Sequence, residues 1–372
     1  MRARAGVAEL PEGRMSAKIA MVLSGFPRRS ETFALNEVWA LEQRGALAAI
    51  FATKTGEPAA TQPASQALLG RVHVLTESEG SRQAQEVIRL LGGARVSGIH
   101  GYFAHAPAEV AERVSMQLGI PFGFSVHAKD ARKVAPEVLF ARVRQAACVV
   151  ACNQDVASEL KGSGANVHLV PHGVDLERFA PQPLPASRVL HLLAVGRLVE
   201  KKGFHILIRA AARLRVPFQL DIVGEGPEEK RLTELIRTHR LESTVRLCGP
   251  KSHEDLPEAY SRAHVLVAPS IVDASGDRDG LPNVVLEAMA CGRPVIASDV
   301  AALGSAVIHE QTGLLTPADA PESLAAAIEV LANKHSMMGE LGIRARAFVE
   351  SEYDVRRCTD RFYNLLRSAY AC

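Results

Sequence analysis

Aromatic residues are scarce in this 372-residue chain: they make up 5% of it, with a single tryptophan. Hydrophobic residues still reach 47%, so the core has to be built from Ala, Val and Leu, as in a soluble globular protein. Charge of one sign is also in short supply. A formal net charge of +2 carries no argument for nucleic acid by itself. No uninterrupted apolar run reaches the roughly 18 residues of a membrane span, so a transmembrane helix is not expected. Residues 1–16 hold three arginines but also Glu9, Pro11 and Glu12, and they lack the apolar core of a secretory signal. They are expected to form a disordered extension, or to reflect a start placed upstream of Met15. Cysteine supplies no framework either. The six (148, 152, 248, 291, 358 and 372) are scattered, mostly in apolar runs. Cys148 and Cys152 are close, but no second pair or His cluster completes a metal site. All six are expected to be reduced thiols of a cytoplasmic protein.

What is present is alternation. The chain is too long for one ordinary core and fits two domains. Short apolar runs alternate with longer amphipathic segments, the signature of parallel βα units. Strands are expected over 18–23, 47–53, 71–75, 98–103, 122–127, 148–151 and 167–170, with helices over 33–44, 106–118, 134–144 and 154–160. Three prolines in Pro181-Gln-Pro-Leu-Pro185 stop both helix and sheet and mark a linker. Beyond it, strands are expected over 189–195 and 219–223 and helices over 205–214 and 228–240. Further elements follow over 245–248, 256–263, 265–268, 284–290 and 294–297, with helical patterns over 324–333 and after Ser336. Two successive runs of βα units predict an α/β fold of two doubly wound domains facing each other across a cleft. The expected division is an extension over 1–16, a first domain over 17–183 and a second over 184–372, whose last helix is able to pack back on the first.

In open parallel sheets, ligands sit beyond the carboxyl ends of the strands, so the loops there are where chemistry is sought. The most informative is Asp279-Gly-Leu-Pro-Asn-Val-Val-Leu-Glu287, two carboxylates around a Gly-Leu-Pro turn that opens a helix. A helix start leaves backbone N–H groups unpaired and carries the positive end of the dipole, which suits a phosphate. The carboxylates suit hydroxyl groups, and phosphate plus hydroxyls describes a nucleotide sugar. In Val195-Gly-Arg-Leu-Val-Glu-Lys-Lys-Gly203, Gly196 lets the backbone turn, and Arg197 and Lys202 leave the same loop. Two such cations suit a diphosphate and its departing charge; a plain solvated loop reads equally well. Gly224-Glu-Gly-Pro-Glu-Glu229 starts like a dinucleotide motif but has Glu229 in place of the third glycine, which disfavours NAD. The acid-rich loop from Asp273 to Gly280 lacks EF-hand spacing and its bidentate Glu, so it reads as a substrate loop.

In the first half, His127 ends a strand in Phe124-Ser-Val-His-Ala-Lys-Asp130. Such a histidine is commonly structural, yet its place on the cleft side suits a hydrogen bond to a sugar hydroxyl. The loop Ser24-Gly-Phe-Pro-Arg-Arg-Ser-Glu-Thr-Phe33 offers Gly25 for close backbone approach and Glu31 for an acceptor hydroxyl. Ser30-Glu-Thr32 is also a plain helix-capping sequence. Arg28, Arg29, Lys129, Arg132 and Lys133 form either a solvated face or a mild basic face toward anionic lipid or a phosphorylated acceptor.

Taken together, these pieces resemble the retaining family 4 glycosyltransferases, which have the GT-B fold of two facing Rossmann-like domains. The resemblance spans residues 18 to 368 or so. It rests on the Val195–Gly203 loop, Asp221-Ile-Val-Gly-Glu-Gly-Pro227, Leu247-Cys-Gly249, Ala268-Pro-Ser270, Gly280-Leu-Pro282, Glu287-Ala-Met-Ala290, Gly292-Arg-Pro-Val295 and Gly313-Leu-Leu315. Ser30-Glu-Thr-Phe33 and His127-Ala-Lys-Asp130 resemble the subgroup that builds exopolysaccharides, colanic-acid-like polymers among them. The resemblance implies that Arg197 and Lys202 bind the donor diphosphate, Glu287 the ribose hydroxyls and Asp279 the donor hexose, with His127 near the transferred sugar. It also implies donor contacts from Gly25, Gly196, Gly280, Leu281, Pro282, Asn283 and Val284, a base near Gly249, and an acceptor side at Arg28, Ser30 and Glu31. Relatives usually carry Glu where Asp279 stands, a carboxylate longer by one bond of about 1.5 Å; misplacement on that scale costs about 10²-fold in rate. A second departure is Gly304-Ser-Ala-Val-Ile308, where relatives often have a Glu before the apolar pair.

The implied reaction needs no metal and no cofactor beyond a nucleotide sugar as co-substrate. It transfers a hexose-type sugar with retention to a glycan or lipid-linked acceptor, in a cytoplasmic protein able to touch the inner face of the membrane and with no nucleic-acid partner. No carboxylate pair of the glycosidase kind is evident. Two other readings stay open: a nucleotide-sugar epimerase, which would turn over without an acceptor, and a non-catalytic partner subunit that keeps the fold.

Overall fold

Apolar runs of the sequence become parallel strands in two separate sheets. The computed structural model describes residues 18–28, 31–57, 62–127, 134–164 and 166–370; the N-terminal extension, Arg29, Ser30, Lys129, Arg132 and Lys133 lie outside them. The first sheet contains β1 (Ile19–Leu23), β2 (Leu47–Ala52), β3 (Val72–Val74), β4 (Gly98–Tyr102), β5 (Phe122–Val126), β6 (Cys148–Ala151) and β7 (Val167–Leu169). Its order is β3-β2-β1-β4-β5-β6-β7. Helices α1 (Thr32–Gln43), α2 (Pro63–Leu68), α3 (Gly80–Leu91), α4 (Ala106–Leu118), α5 (Pro136–Gln145) and α6 (Gln154–Leu160) connect the strands. Every residue of β1, β4, β5 and β6 is buried, because helices cover both faces. The edge strands β3 and β7 are three residues long, which limits pairing with other chains.

The second sheet repeats the plan with β8 (Leu190–Val195), β9 (Phe218–Val223), β10 (Val245–Leu247), β11 (Val265–Ala268), β12 (Val295–Ser298) and β13 (Gly313–Thr316). Its order is β10-β9-β8-β11-β12-β13. Around it lie α7 (Phe204–Ala211), α8 (Glu229–Thr238), α9 (Leu256–Arg262), α10 (Asn283–Ala290), α11 (Pro321–Asn333) and α12 (His335–Glu352). This is the doubly wound α/β architecture expected from the alternation. Strand order reverses between β1 and β4 and again between β8 and β11, and ligand crevices form at such reversals.

The sequence reading passed over α3, although its apolar residues Ala84, Val87 and Leu91 recur at helical spacing. Its buried face includes Gln83 and Glu86 as well as Ala84, Val87 and Leu91. Those polar groups are satisfied inside: Glu86 accepts from the Thr76 N–H at 2.9 Å, and Gln83 donates to the carbonyls of Thr53 and Glu77 at 3.1 and 2.7 Å. The helical residues after Ser336 divide at Tyr353 into α12 and a final helix, α13 (Val355–Tyr370). There the Val174 N–H donates to the Tyr353 carbonyl at 2.8 Å and the Val355 N–H to the Val174 carbonyl at 3.1 Å. Past this clasp, α13 lies against the first sheet, with Phe362, Leu366 and Tyr370 in one cluster with Ile19, Met21 and Leu23. The Tyr370 hydroxyl and the His100 Nδ1 lie 2.8 Å apart. A Cβ at Gly98 or Gly123 would stand within 2.5 Å of the Tyr370 ring or hydroxyl, so those strand glycines make room for it. The proline segment is pinned by the buried Arg293, which donates to the Pro183 carbonyl at 3.1 Å and the Ala263 carbonyl at 3.2 Å.

Candidate functional site

Loops from the carboxyl ends of both sheets enclose a cavity of about 450 Å³. On the second sheet, the loop after β8 is fixed before any side chain acts. The Gly196 N–H donates to the Val223 carbonyl at 3.0 Å, the Leu198 N–H to Glu225 at 2.8 Å, and the Ile271 N–H to the Lys201 carbonyl at 2.8 Å. Gly203 closes the loop at a φ of 65°, where a Cβ would stand 1.8 Å from the Pro269 carbonyl oxygen. Both the left-handed backbone and the close approach require glycine.

This stitched loop presents three cations to the cavity: Arg197, Lys201 and Lys202. The Lys202 Nζ is 2.9 Å from Asp279 Oδ2, and the Lys201 Nζ is 3.2 Å from Asp277 and 3.6 Å from Asp279 Oδ1. The Ser270 hydroxyl donates to Asp279 at 2.9 Å. Arg197 has no ion-pair partner among the described residues and lines the cavity. Gly280, Leu281, Pro282, Asn283 and Val284 continue the wall. Pro282 stands at the N-cap of α10, and no side chain caps the helix, so its first amides keep their donor capacity.

The other wall belongs to the first sheet. His127, just after β5, sits among the rings of Phe33, Tyr102, Phe103 and His172, with centroids 4.8 to 5.3 Å away. Burial, and then the neighbouring His172, His105 and His100, hold its pKa well below the usual imidazole range, so the ring is neutral. The His172 Nδ1 is 3.0 Å from Glu37 Oε1, and buried Glu37 also accepts from the Tyr102 hydroxyl at 2.7 Å. Cys152 and Asn153 follow β6; the Asn153 Oδ1 accepts from the Val156 N–H at 3.0 Å and caps α6. The absence of any His cluster around Cys152, expected from the sequence, does not hold in three dimensions. The ligand atoms of His127, Cys152 and His172 all lie within 4.8 Å of one another, because neighbouring strands bring together residues far apart in the chain.

The two walls are joined directly. Arg278 donates to Asp155 at 3.1 to 3.3 Å and to Glu159 at 2.9 Å, both on α6. The Asn283 amide reaches Thr32 Oγ1 at 3.4 Å.

Several expected residues stand back from the cavity wall. Glu287 is buried on α10, where it accepts from the Tyr260 hydroxyl at 2.8 Å and lies 3.6 Å from His253 Nε2. Gly249 is at a φ of 68°, its carbonyl accepting from the Gly224 N–H at 2.9 Å. Gly25 is packed near Thr55, and Arg28 pairs with Glu31 at 3.2 Å. Burial raises the Glu31 pKa in spite of Arg28. The sequence reading missed Glu37, Cys152, His172, Lys201 and Arg278. A carboxylate on the apolar face of α1, beside Ala34, Val38 and Leu41, was a signal for Glu37. The strand-end rule that singled out His127 applies equally to His172.

Comparison with known proteins bears on both halves. A family model described as Glycosyltransferase Family 4 matches residues 30–178, and one described as Glycosyl transferases group 1 matches residues 177–348. WcaL of Escherichia coli K12, named as a colanic acid biosynthesis glycosyltransferase, is 32% identical over 201 residues, 53% of this chain and 50% of WcaL. AmsK of Erwinia amylovora, an amylovoran biosynthesis glycosyltransferase, is 31% identical over 192 residues, 50% of this chain and 47% of AmsK. The chain spans about half the length of the curated relatives it matches. The solved structure of Anabaena HepE in complex with UDP matches with a TM-score of 0.80 at 20% identity, over 94% of this chain and 100% of that one, a likeness of fold.

Proposed function

The chain belongs to the family 4 glycosyltransferases, and from that premise we propose that it moves a hexose-type sugar, with retention, from a nucleoside-diphosphate sugar to a hydroxyl of a glycan or lipid-linked acceptor in polysaccharide or glycoconjugate biosynthesis. The observation that carries this reading is the grouping of Arg197, Lys202, Asp279 and the uncapped start of α10 on one side of a cavity, with neutral His127 on the other. The names of WcaL and AmsK support a polysaccharide product, and the UDP bound to HepE supports a nucleotide donor.

As the bond from the anomeric carbon to the diphosphate breaks, negative charge grows on the β-phosphate and positive charge on the sugar. Arg197, Lys202 and the α10 amides stabilise the phosphate charge without a metal. Lys202 is held by Asp279 at 2.9 Å, so an arriving diphosphate draws the ammonium away and leaves the carboxylate to sugar hydroxyls. Neutral His127 offers one N–H donor and one acceptor to the sugar. The acceptor oxygen attacks from the face the leaving group vacates, and a phosphate oxygen takes its proton. The Arg278 contacts with α6 tie the two walls together, and closure of the walls over the donor keeps water from competing with the acceptor.

Thermal unfolding with UDP, GDP, ADP, CDP and NAD tests the reading. A nucleoside diphosphate at 100 times its dissociation constant should add about 2.7 kcal/mol, and Lys202→Ala should abolish the gain. Stabilisation by NAD alone, or by no nucleotide even with acceptor glycan present, would sink it. An acceptor-independent change in the sugar would favour the epimerase.

A further inference from the structure

His127, Cys152 and His172 follow β5, β6 and β7, three strands adjacent in the sheet. All three line the cavity, and their ligand atoms lie within 4.8 Å of one another. One thiol and two imidazoles form a donor set that suits zinc-like divalent cations. The surroundings prepare it. The His172 Nδ1–H donates to Glu37 at 3.0 Å, and Glu37 is held in turn by the Tyr102 hydroxyl at 2.7 Å. That bond leaves Nε2 as the lone-pair nitrogen, and Nε2 is buried with no hydrogen bond among the described residues. A carboxylate on the far nitrogen is the usual way that a metal-binding imidazole is oriented. On the other side, the Asn153 Nδ2 is 3.3 Å from the Cys152 Sγ, a donor that favours the thiolate. A thiolate together with the Glu37 carboxylate balances a charge of two.

We propose that this chain binds one Zn²⁺-like cation through His127, Cys152 and His172, with the fourth position open to the cavity. Ligand atoms around a tetrahedral zinc are roughly 3.4–3.7 Å apart for bonds of about 2.0–2.3 Å, so the site closes by about 1 Å through side-chain rotation. The ion would stand beside His127, in space the transfer reaction gives to the sugar, so it inhibits; only this consequence rests on the glycosyltransferase reading.

Binding is tested with Co²⁺ alone on the full-length reduced protein, followed by displacement with Zn²⁺. The expected result is one equivalent bound, tetrahedral ligand-field bands and a thiolate-to-cobalt charge-transfer band. That band should persist in Cys248→Ser, which removes an exposed thiol, and vanish in Cys152→Ser. Glu37→Gln should weaken binding about 10–100-fold. As a check that needs no variant, Zn²⁺ should protect Cys152 from alkylation, mapped by mass spectrometry. The proposal is overturned by no stoichiometric binding, by a band that survives in Cys152→Ser, or by protection of a different cysteine. Binding with undiminished transfer would overturn the inhibitory consequence and leave the site standing.

Discussion

On the second domain's side of the cleft, the candidate groups come from two loops that are hydrogen-bonded to each other; on the first domain's side they come from the start of α1 and from three separate strand ends. Arg197, Lys201 and Lys202 share one loop, and Asp277 and Asp279 share another. Phe33, His127, Cys152 and His172 are each supplied by a different connection. The chemistry differs with the construction. The second wall is charged, with Lys201 and Lys202 paired to Asp277 and Asp279, and the first is a cage of rings around the neutral imidazole of His127. A wall that handles phosphate needs fixed charge, which neighbouring loop residues can supply together. A wall that packs against a sugar needs shape, and shape is assembled from many places.

The domains also differ in self-sufficiency, since the first sheet depends on α13 from the far end of the chain. Replacing Tyr370 by Ala should therefore have the largest effect, a loss of about 3–5 kcal/mol of stability by denaturant unfolding. A change within experimental error would mean that the first domain stands without this helix. On the charged wall, Lys202→Ala should lower kcat/KM about 10²–10³-fold while leaving the melting temperature nearly unchanged. A comparable loss of stability would make Lys202 a structural anchor of Asp279 instead. Gly203→Ala strikes the stitching beneath that wall and should cost roughly 1–3 kcal/mol, read by thermal unfolding.

Acid should weaken the first domain in particular. Burial takes the His100 pKa down from 6.5 to about 3, so between these values the unfolded chain binds the proton and the folded chain does not. Stability from this group is complete above pH 6.5 and is lost as pH falls toward 3, at about 1.4 kcal/mol per unit within that window. His100→Gln should flatten that slope in pH-dependent denaturation; an unchanged slope assigns acid sensitivity elsewhere. The smallest effect is expected where the walls meet. Each half-exposed ion pair is worth about 0–1 kcal/mol, so Arg278→Ala should raise the acceptor KM only a few-fold, and less at high salt.

How much was legible followed the same division. Arg197 and Lys202 share one short loop, which their spacing shows; Asp279 stands in a second motif, and its place beside them was implied by the family resemblance rather than by spacing. Glu287 lies in the same motif, yet its partners, Tyr260 and His253, lie on other elements. Its withdrawal from the cavity wall could not be read from spacing. His172 and Cys152 gave weak signals singly, because their meaning depends on the order β5-β6-β7. Helix α3 carries an apolar stripe at helical spacing that the reading passed over; what only the folded chain provides is the partners that let Gln83 and Glu86 share its buried face.

By itself the sequence determined the alternation of strands and helices, the division into two sheets and the charged loops of the second, since each follows from short-range sterics and periodic burial. Only the tertiary structure decided that α13 completes the first domain, that Lys202 is neutralised by Asp279, and that His127, Cys152 and His172 converge. Those outcomes depend on which strand lies beside which, and strand order is set by packing over the whole chain rather than by any local pattern.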